Sequence, residues 1–253
     1  MKKITKIIAA IAAFVLMIGL LLFANAWVGN PISKLIATNS AEKYVAEKYS
    51  DIDLAVEKTV YNFKFSSYVV FFRSPASYDT AFSVYLDSLG KTIRDDYEYE
   101  VANNFTTWRR LDSELREIGD KLMRENLKYN VTHAIFSSVD VETDDFTNLL
   151  TKDMKLDIHN PPFGIDASIT INDPDVSYEK MAEVMRAVAE LCADENIPIA
   201  EYSIHIENDA LVSVQDGAEA RENQKIGIYN IPAELLNSEN LASDLKAIDV
   251  GEN

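Results

Sequence analysis

A single cysteine, Cys192, stands among 253 residues. No intrachain disulfide can form, so the fold must be held by its core alone, which is feasible at this length. Cys192 also lies far from any position where a lipid could be attached, which excludes a lipoprotein. Histidine is nearly as scarce. His133, His159 and His205 are the whole set, and none belongs to an H-E-x-x-H helix, so a zincin site is excluded. Cations are outnumbered, 24 lysines and arginines against 41 acids, for a formal net charge of −17. A surface of that sign repels nucleic acid, anionic headgroups and anionic polymers; it admits cationic partners or divalent ions.

What the chain does have is an uncharged apolar run near its start. Ile7 to Trp27 is rich in Ile, Leu, Ala, Phe and Val, and Lys2, Lys3 and Lys6 precede it. About 20 helical residues cross a ~30 Å hydrocarbon core, so the run predicts a single-pass transmembrane helix. The lysines predict a cytoplasmic N-terminus, with Trp27 at the interface and the rest of the chain extracytoplasmic in a cell-membrane protein. The alternative is a secretory signal cleaved after the A-x-A-like Ala24-Asn25-Ala26. No acid precedes Glu42, so the remainder holds 21 basic and 41 acidic residues, a net −20.

Beyond the run, Asn30 suits an N-cap and Pro31 the first helical position, predicting a helix to about Tyr49. A β-meander follows. Ile52, Leu54 and Val56 alternate with charged residues, then Tyr61, Phe63 and Phe65, then the dense strand Tyr68–Arg73, then Phe82, Val84 and Leu86. Asp87-Ser88-Leu89-Gly90 turns the chain into Lys91–Tyr97. Val101, Phe105, Trp108, Leu111, Leu115, Ile118 and Leu122 form an apolar stripe on a helix expected over Glu98–Leu127. Strands are expected at Tyr129–Val141, Ile165–Ile171, Tyr202–Glu207 and Ile226–Ile231. A helix capped by Ser177 and another near Ala233–Ile248 complete this half, with a polar, flexible stretch expected at Gln215–Gln224. The expected class is α+β: a cytoplasmic tip and transmembrane anchor over 1–29, then two subdomains, 30–128 and 129–253, with antiparallel or mixed sheets.

The run Val84-Tyr85-Leu86-Asp87-Ser88-Leu89-Gly90-Lys91-Thr92-Ile93 resembles the hairpin of PepSY-type modules, over about Pro31–Tyr97. The longer connection Ser74–Thr80 departs from that pattern and weighs against the peptidase inhibition it would imply. The whole chain resembles the YfjL-like proteins of Gram-positive bacteria through Gly29-Asn30-Pro31-Ile32-Ser33, Tyr78-Asp79-Thr80-Ala81-Phe82 and Asp173-Pro174-Asp175-Val176-Ser177. That resemblance implies membrane placement and two subdomains, and supplies no activity.

Searches for chemistry end without catalytic, cofactor or metal residues. Gly90-Lys91-Thr92 has Tyr85 where a phosphate-binding loop needs its first glycine. Ser40/Lys43, Ser177/Lys180 and Ser243/Lys246 fit Ser-x-x-Lys, but the accompanying Ser-Asp-Asn and Lys-Thr-Gly elements are missing. Glu201, His205 and Glu207 share one strand face that could bear a metal beside His133, but a solvated polar face explains them far better. The acids Asp95, Asp96, Glu98 and Glu100, and Glu142 with Asp144 and Asp145, lack a calcium-loop pattern. Tyr61, Phe63, Tyr68, Phe71 and Phe72 put aromatics on both strand faces, a hint of a contact surface. The sequence therefore points to a membrane-anchored, non-enzymatic protein- or peptide-interaction module. The alternatives are an exported enzyme using Asp95, Asp96 or Glu98 for acid–base chemistry, and a cation-responsive accessory domain.

Overall fold

Gly29 adopts a left-handed conformation (φ +78°) between the first two helices, α1 (Lys2–Val28) and α2 (Pro31–Lys48). No side chain fits there, because a Cβ would lie 2.7 Å from the Tyr61 ring. Beside it, the Tyr68 hydroxyl accepts from Asn30 N (2.7 Å) and donates to Asn30 O (3.0 Å). Asn30 in turn caps α2, its side chain accepting from Ile32 N. The Asn-Pro signal thus begins the helix where expected.

The computed structural model describes residues 2–139, 146–208 and 225–251, apart from the side chains at 2, 3, 9, 21, 22, 24–26 and 251. The expected flexible stretch, the Glu142 and Asp144–Asp145 cluster, and the side chains of the A-x-A-like site lie outside the described residues. Contacts divide the chain into two units, Met1–Thr106 and Thr107–Asn253, each with one four-stranded sheet. The class is α+β.

The expected anchor does not stand. A span needs about 20 consecutive apolar residues, and among the described residues no helix is long and apolar enough to cross a membrane. With the transmembrane helix go the single-pass topology, the cytoplasmic N-terminus and extracytoplasmic remainder, the cell-membrane localisation, and the membrane as a partner. Ile7, Ile11, Phe14, Leu16 and Leu20 on this helix are each more than half exposed.

The first sheet is an antiparallel meander, β1 (Ala55–Asn62), β2 (Ser67–Arg73), β3 (Ala81–Leu86) and β4 (Thr92–Asp95), in the order β1-β2-β3-β4. Helix α2 covers one face. Ala37, Ala41, Val45 and Tyr49 meet Tyr68, Val70, Phe72, Phe82, Val84 and Leu86 in one buried cluster. Alternation along β2 and β3 sends the intervening residues to the opposite face.

The helix expected over Glu98–Leu127 is not continuous. A π-helical turn, Glu98–Ala102, ends at Asn103-Asn104, where Asn104 is left-handed (φ 56°), and α3 begins anew as Phe105–Asn126. Asparagine tolerates that conformation, and the apolar stripe continues across the break, which hides it from a periodicity argument.

The second sheet is mixed, β5 (Val131–Val139), β6 (Gly164–Asn172), β7 (Glu201–Glu207) and β8 (Lys225–Pro232), in that order. Strands β6 and β7 are parallel; the outer pairs are antiparallel. The short helix α4 (Phe146–Leu149) precedes β6, α5 (Tyr178–Asp194) links β6 to β7, and α6 (Leu241–Gly251) packs on α5. Ser177 caps α5 by accepting from Lys180 N. One sheet face carries the buried Phe136, Ile165, Ala167, Ile169, Ile171, Tyr202, Ile204 and Ile206. Met181, Val184, Met185, Val188 and Cys192 of α5 are also fully or almost fully buried.

Candidate functional site

The face of the first sheet turned away from α2 presents residues in registered rows. Lys58, Phe71 and Ser83 lie side by side across β1, β2 and β3, and Val60, Val69, Tyr85 and Arg94 form the next row across all four strands. Asn62 and Ser67 continue the pattern at the β1–β2 turn. The aromatic strand thus splits by face. Tyr68 and Phe72 are core, Phe71 belongs to the open face, and Tyr61 is partly buried against the core. Phe63, in the turn, stacks on Trp27 at 5.4 Å between centroids.

Each aromatic ring of the open face is covered by a cation. Lys58 Nζ lies 4.8 Å from the Phe71 centroid, and the Arg94 guanidinium lies 3.8 Å from that of Tyr85. Such contacts contribute roughly 0.5–1 kcal/mol each when exposed. Among the described residues no carboxylate forms an ion pair with Lys58 or Arg94. The nearby Asp96 is engaged elsewhere, accepting from Ser83 N and from the Tyr85 hydroxyl (3.3 Å). Burial, and then the Asp96 charge, raise the Tyr85 pKa, so the phenol stays neutral. At one end, Asn62, Phe65, Ser67, Tyr85, Ile93 and Arg94 line a cavity of about 530 Å³. Its two apolar walls are largely bare, with Phe65 77% and Ile93 60% exposed.

The carboxylates considered for acid–base work are held apart. Asp95 faces α2, where it accepts from the Tyr44 hydroxyl, Lys48 Nζ (2.8 Å), the Tyr49 hydroxyl (2.9 Å) and Tyr97 N (3.1 Å). Asp96 faces the other side of the sheet, through its bonds to Ser83 and Tyr85. Burial alone would raise the Asp95 pKa, but Lys48 and the two tyrosines more than offset it and hold the carboxyl below its usual range. A general acid at neutral pH needs the opposite shift. This cluster instead ties β4 to α2. Asp95→Asn is expected to destabilise the fold by about 1–3 kcal/mol at pH 7. Because the folded pKa is depressed, that difference should shrink as pH falls below about 4, measured by urea titration at several pH values.

The histidines do not converge on a metal. His133 and His205 share one row of the second sheet with Thr170 between them, while His159 Nδ1 lies 3.2 Å from Asn196 O. Among the described residues no group of three or more His, Cys, Asp or Glu could hold a metal ion. Burial pushes the Cys192 thiol up to about 12, which leaves it un-ionised and a poor nucleophile. Gly90-Lys91-Thr92 lies in a hairpin where Asp87 Oδ1 accepts from Leu89 N and Lys91 N, both at 2.9 Å.

Two features escape a reading of the sequence. The Lys58 and Arg94 pairings depend on register across strands. Asp166, only 6% exposed, is another. It accepts from the Ser203 hydroxyl (3.0 Å), whose oxygen accepts from Asn230 N (3.2 Å) at the left-handed kink of β8 (φ 51°). Burial pushes the Asp166 pKa up to about 6, with Glu201 adding to it and Ser203 opposing. Alternation placed Asp166 on a polar face, and nothing in the local sequence signalled its burial.

These features define a tandem α+β protein whose first sheet leaves a cation–aromatic face uncovered by its own helix. Residues 4–107 match the YfjL-like N-terminal domain and residues 114–246 the YfjL-like C-terminal domain. The chain belongs to the YfjL-like family, and that membership assigns no activity. No curated protein matches the chain. It is similar to a crystal structure of a DUF5037 family protein from Ruminococcus gnavus ATCC 29149, at 12% identity. That likeness covers 85% of this chain and 99% of the other with a TM-score of 0.24, too low to carry an argument.

Proposed function

We propose that this protein is a non-enzymatic protein- or peptide-interaction module whose contact surface is the open face of the first sheet. The observation that carries the reading is the pair of bare apolar walls, Phe65 and Ile93, beside two aromatic-backed cations that pair with no carboxylate among the described residues. A face mixing aromatic and guanidinium groups has the composition of a protein contact surface, where Tyr and Arg are enriched. The resemblance of residues 31–97 to PepSY-type modules supports this reading.

Chemical crosslinking in cells followed by purification of the tagged full chain tests the reading. The wild type should recover a discrete partner adduct, and Phe65→Ser with Ile93→Ser should reduce it several-fold. Both residues are exposed, so the double variant should retain the fold. Recovery of the chain alone under several crosslinkers, or an adduct indifferent to the substitutions, would overturn the proposal.

A further inference from the structure

We infer that the partner meets this face with an extended acidic segment, its carboxylates spaced to reach Lys58 and Arg94. The inference rests on the interaction reading above and adds the chemistry of the partner. Lys58 and Arg94 stand on the two edge strands, β1 and β4, three inter-strand spacings or about 14 Å apart. Each leans inward over a ring on the neighbouring strand. Phe71 and Tyr85 are diagonal neighbours on β2 and β3, roughly 7–8 Å apart. The two charges therefore lie between those limits. In an extended chain, side chains on one side repeat about every 6.8 Å. Acids four residues apart match the interval, and an apolar residue midway between them, on the same side of the chain, falls over Phe71 and Tyr85.

Charge complementarity selects this occupant. Two cations stand on this face, and among the described residues no carboxylate forms an ion pair with either. At 0.15 M salt the Debye length is about 8 Å, so distant acids of the chain repel an incoming carboxylate little; on the face itself Asp96, beside Tyr85, opposes it, and Lys58 and Arg94 attract it. Both cations are also held in place by their rings, so less freedom is lost when a carboxylate arrives.

The test uses the full chain at 0.15 M NaCl and a fluorescein-labelled peptide, Glu-Thr-Leu-Thr-Glu with blocked ends. Its Gln-Thr-Leu-Thr-Gln and Lys-Thr-Leu-Thr-Lys counterparts serve as controls. The acidic peptide should bind at least about fivefold more tightly than the glutamine peptide, and the lysine peptide should bind worst. Lys58→Gln and Arg94→Gln should each weaken the acidic peptide by roughly two- to fivefold and leave the glutamine peptide unchanged. Both side chains are exposed, so the variants should stay folded, each losing no more than the roughly 0.5–1 kcal/mol of its ring contact. Equal binding of the three peptides, or losses that do not depend on the carboxylates, would overturn the inference. So would binding of phosphatidylglycerol vesicles, sensitive to the same two substitutions, without binding of the acidic peptide. A crosslinked partner at Phe65 and Ile93 without acid preference would sink this inference alone, leaving the interaction reading in place.

Discussion

Asp166→Asn is expected to make the protein more stable at pH 7.5, by about 1–3 kcal/mol. In the folded chain the Asp166 carboxyl titrates near 6, because burial disfavours its charge and no cation among the described residues offsets that. An unfolded aspartate titrates near 3.9. Between those values the folded state binds a proton that the unfolded state does not, so stability from this group is present below about pH 4 and is lost as pH rises through 6. Two pKa units correspond to roughly 3 kcal/mol, an upper bound once relaxation of the site is counted. Asparagine keeps an oxygen to accept from Ser203 and carries no charge at any pH. The gain should therefore vanish near pH 4. His205 acts in the opposite sense, since burial lowers its pKa and its contribution falls as the solution turns acidic. That contribution is common to both proteins and cancels in their difference. Urea titrations of the two at pH 4, 5, 6 and 7.5 would read the effect directly, and a destabilised variant at pH 7.5 would contradict it.

Gly119→Ala is expected to have the largest effect of any single methyl group. In an exposed helix interior, alanine is favoured over glycine by about 1 kcal/mol. At Gly119 sterics reverse the sign. A Cβ there would sit 2.3 Å from Phe136 N and 2.8 Å from Ile135 C, both backbone atoms of β5. Backbone cannot rotate aside, so α3 would have to lift from the sheet along the ridge Leu111, Leu115, Gly119 and Met123. Overpacking typically costs 1–3 kcal/mol and more where backbone must move. A loss of about 3 kcal/mol or more, or failure of the second unit to fold, should follow. Circular dichroism with thermal melting measures it. An unchanged melting temperature would contradict the close approach of α3 to β5.

The same ridge shows what the sequence makes legible and what it hides. Leu111 and Leu115 were in the expected stripe, because large apolar residues at helical spacing announce a buried face. Gly119 is also buried but contributes nothing to hydropathy, so the stripe reads through Ile118 and Leu122, which are half-buried flanks. Local signals fared best where the chemistry is local. Asn30 and Ser177 cap helices through bonds to amides two or three residues away. Strands were legible from the alternation of apolar and polar residues, since each sheet turns its large apolar side chains to one face. The break at Asn103-Asn104 was not, because the apolar spacing in the sequence runs across it without interruption. Nor was the site, because Phe71–Lys58 and Tyr85–Arg94 are cross-strand pairs fixed only when the meander closes in register. The apolar run at the start read as a membrane span by length and composition, and no described helix meets that requirement.

Photocrosslinking from the open face itself tests the central claim most directly. Benzoylphenylalanine at position 71, between Lys58 and the Tyr85–Arg94 pair, should yield a discrete protein adduct in cells. The same residue at position 229, an exposed tyrosine on β8 of the second unit, should not. No adduct from position 71, or the same adducts from both positions, would contradict the assignment of this face as the contact surface.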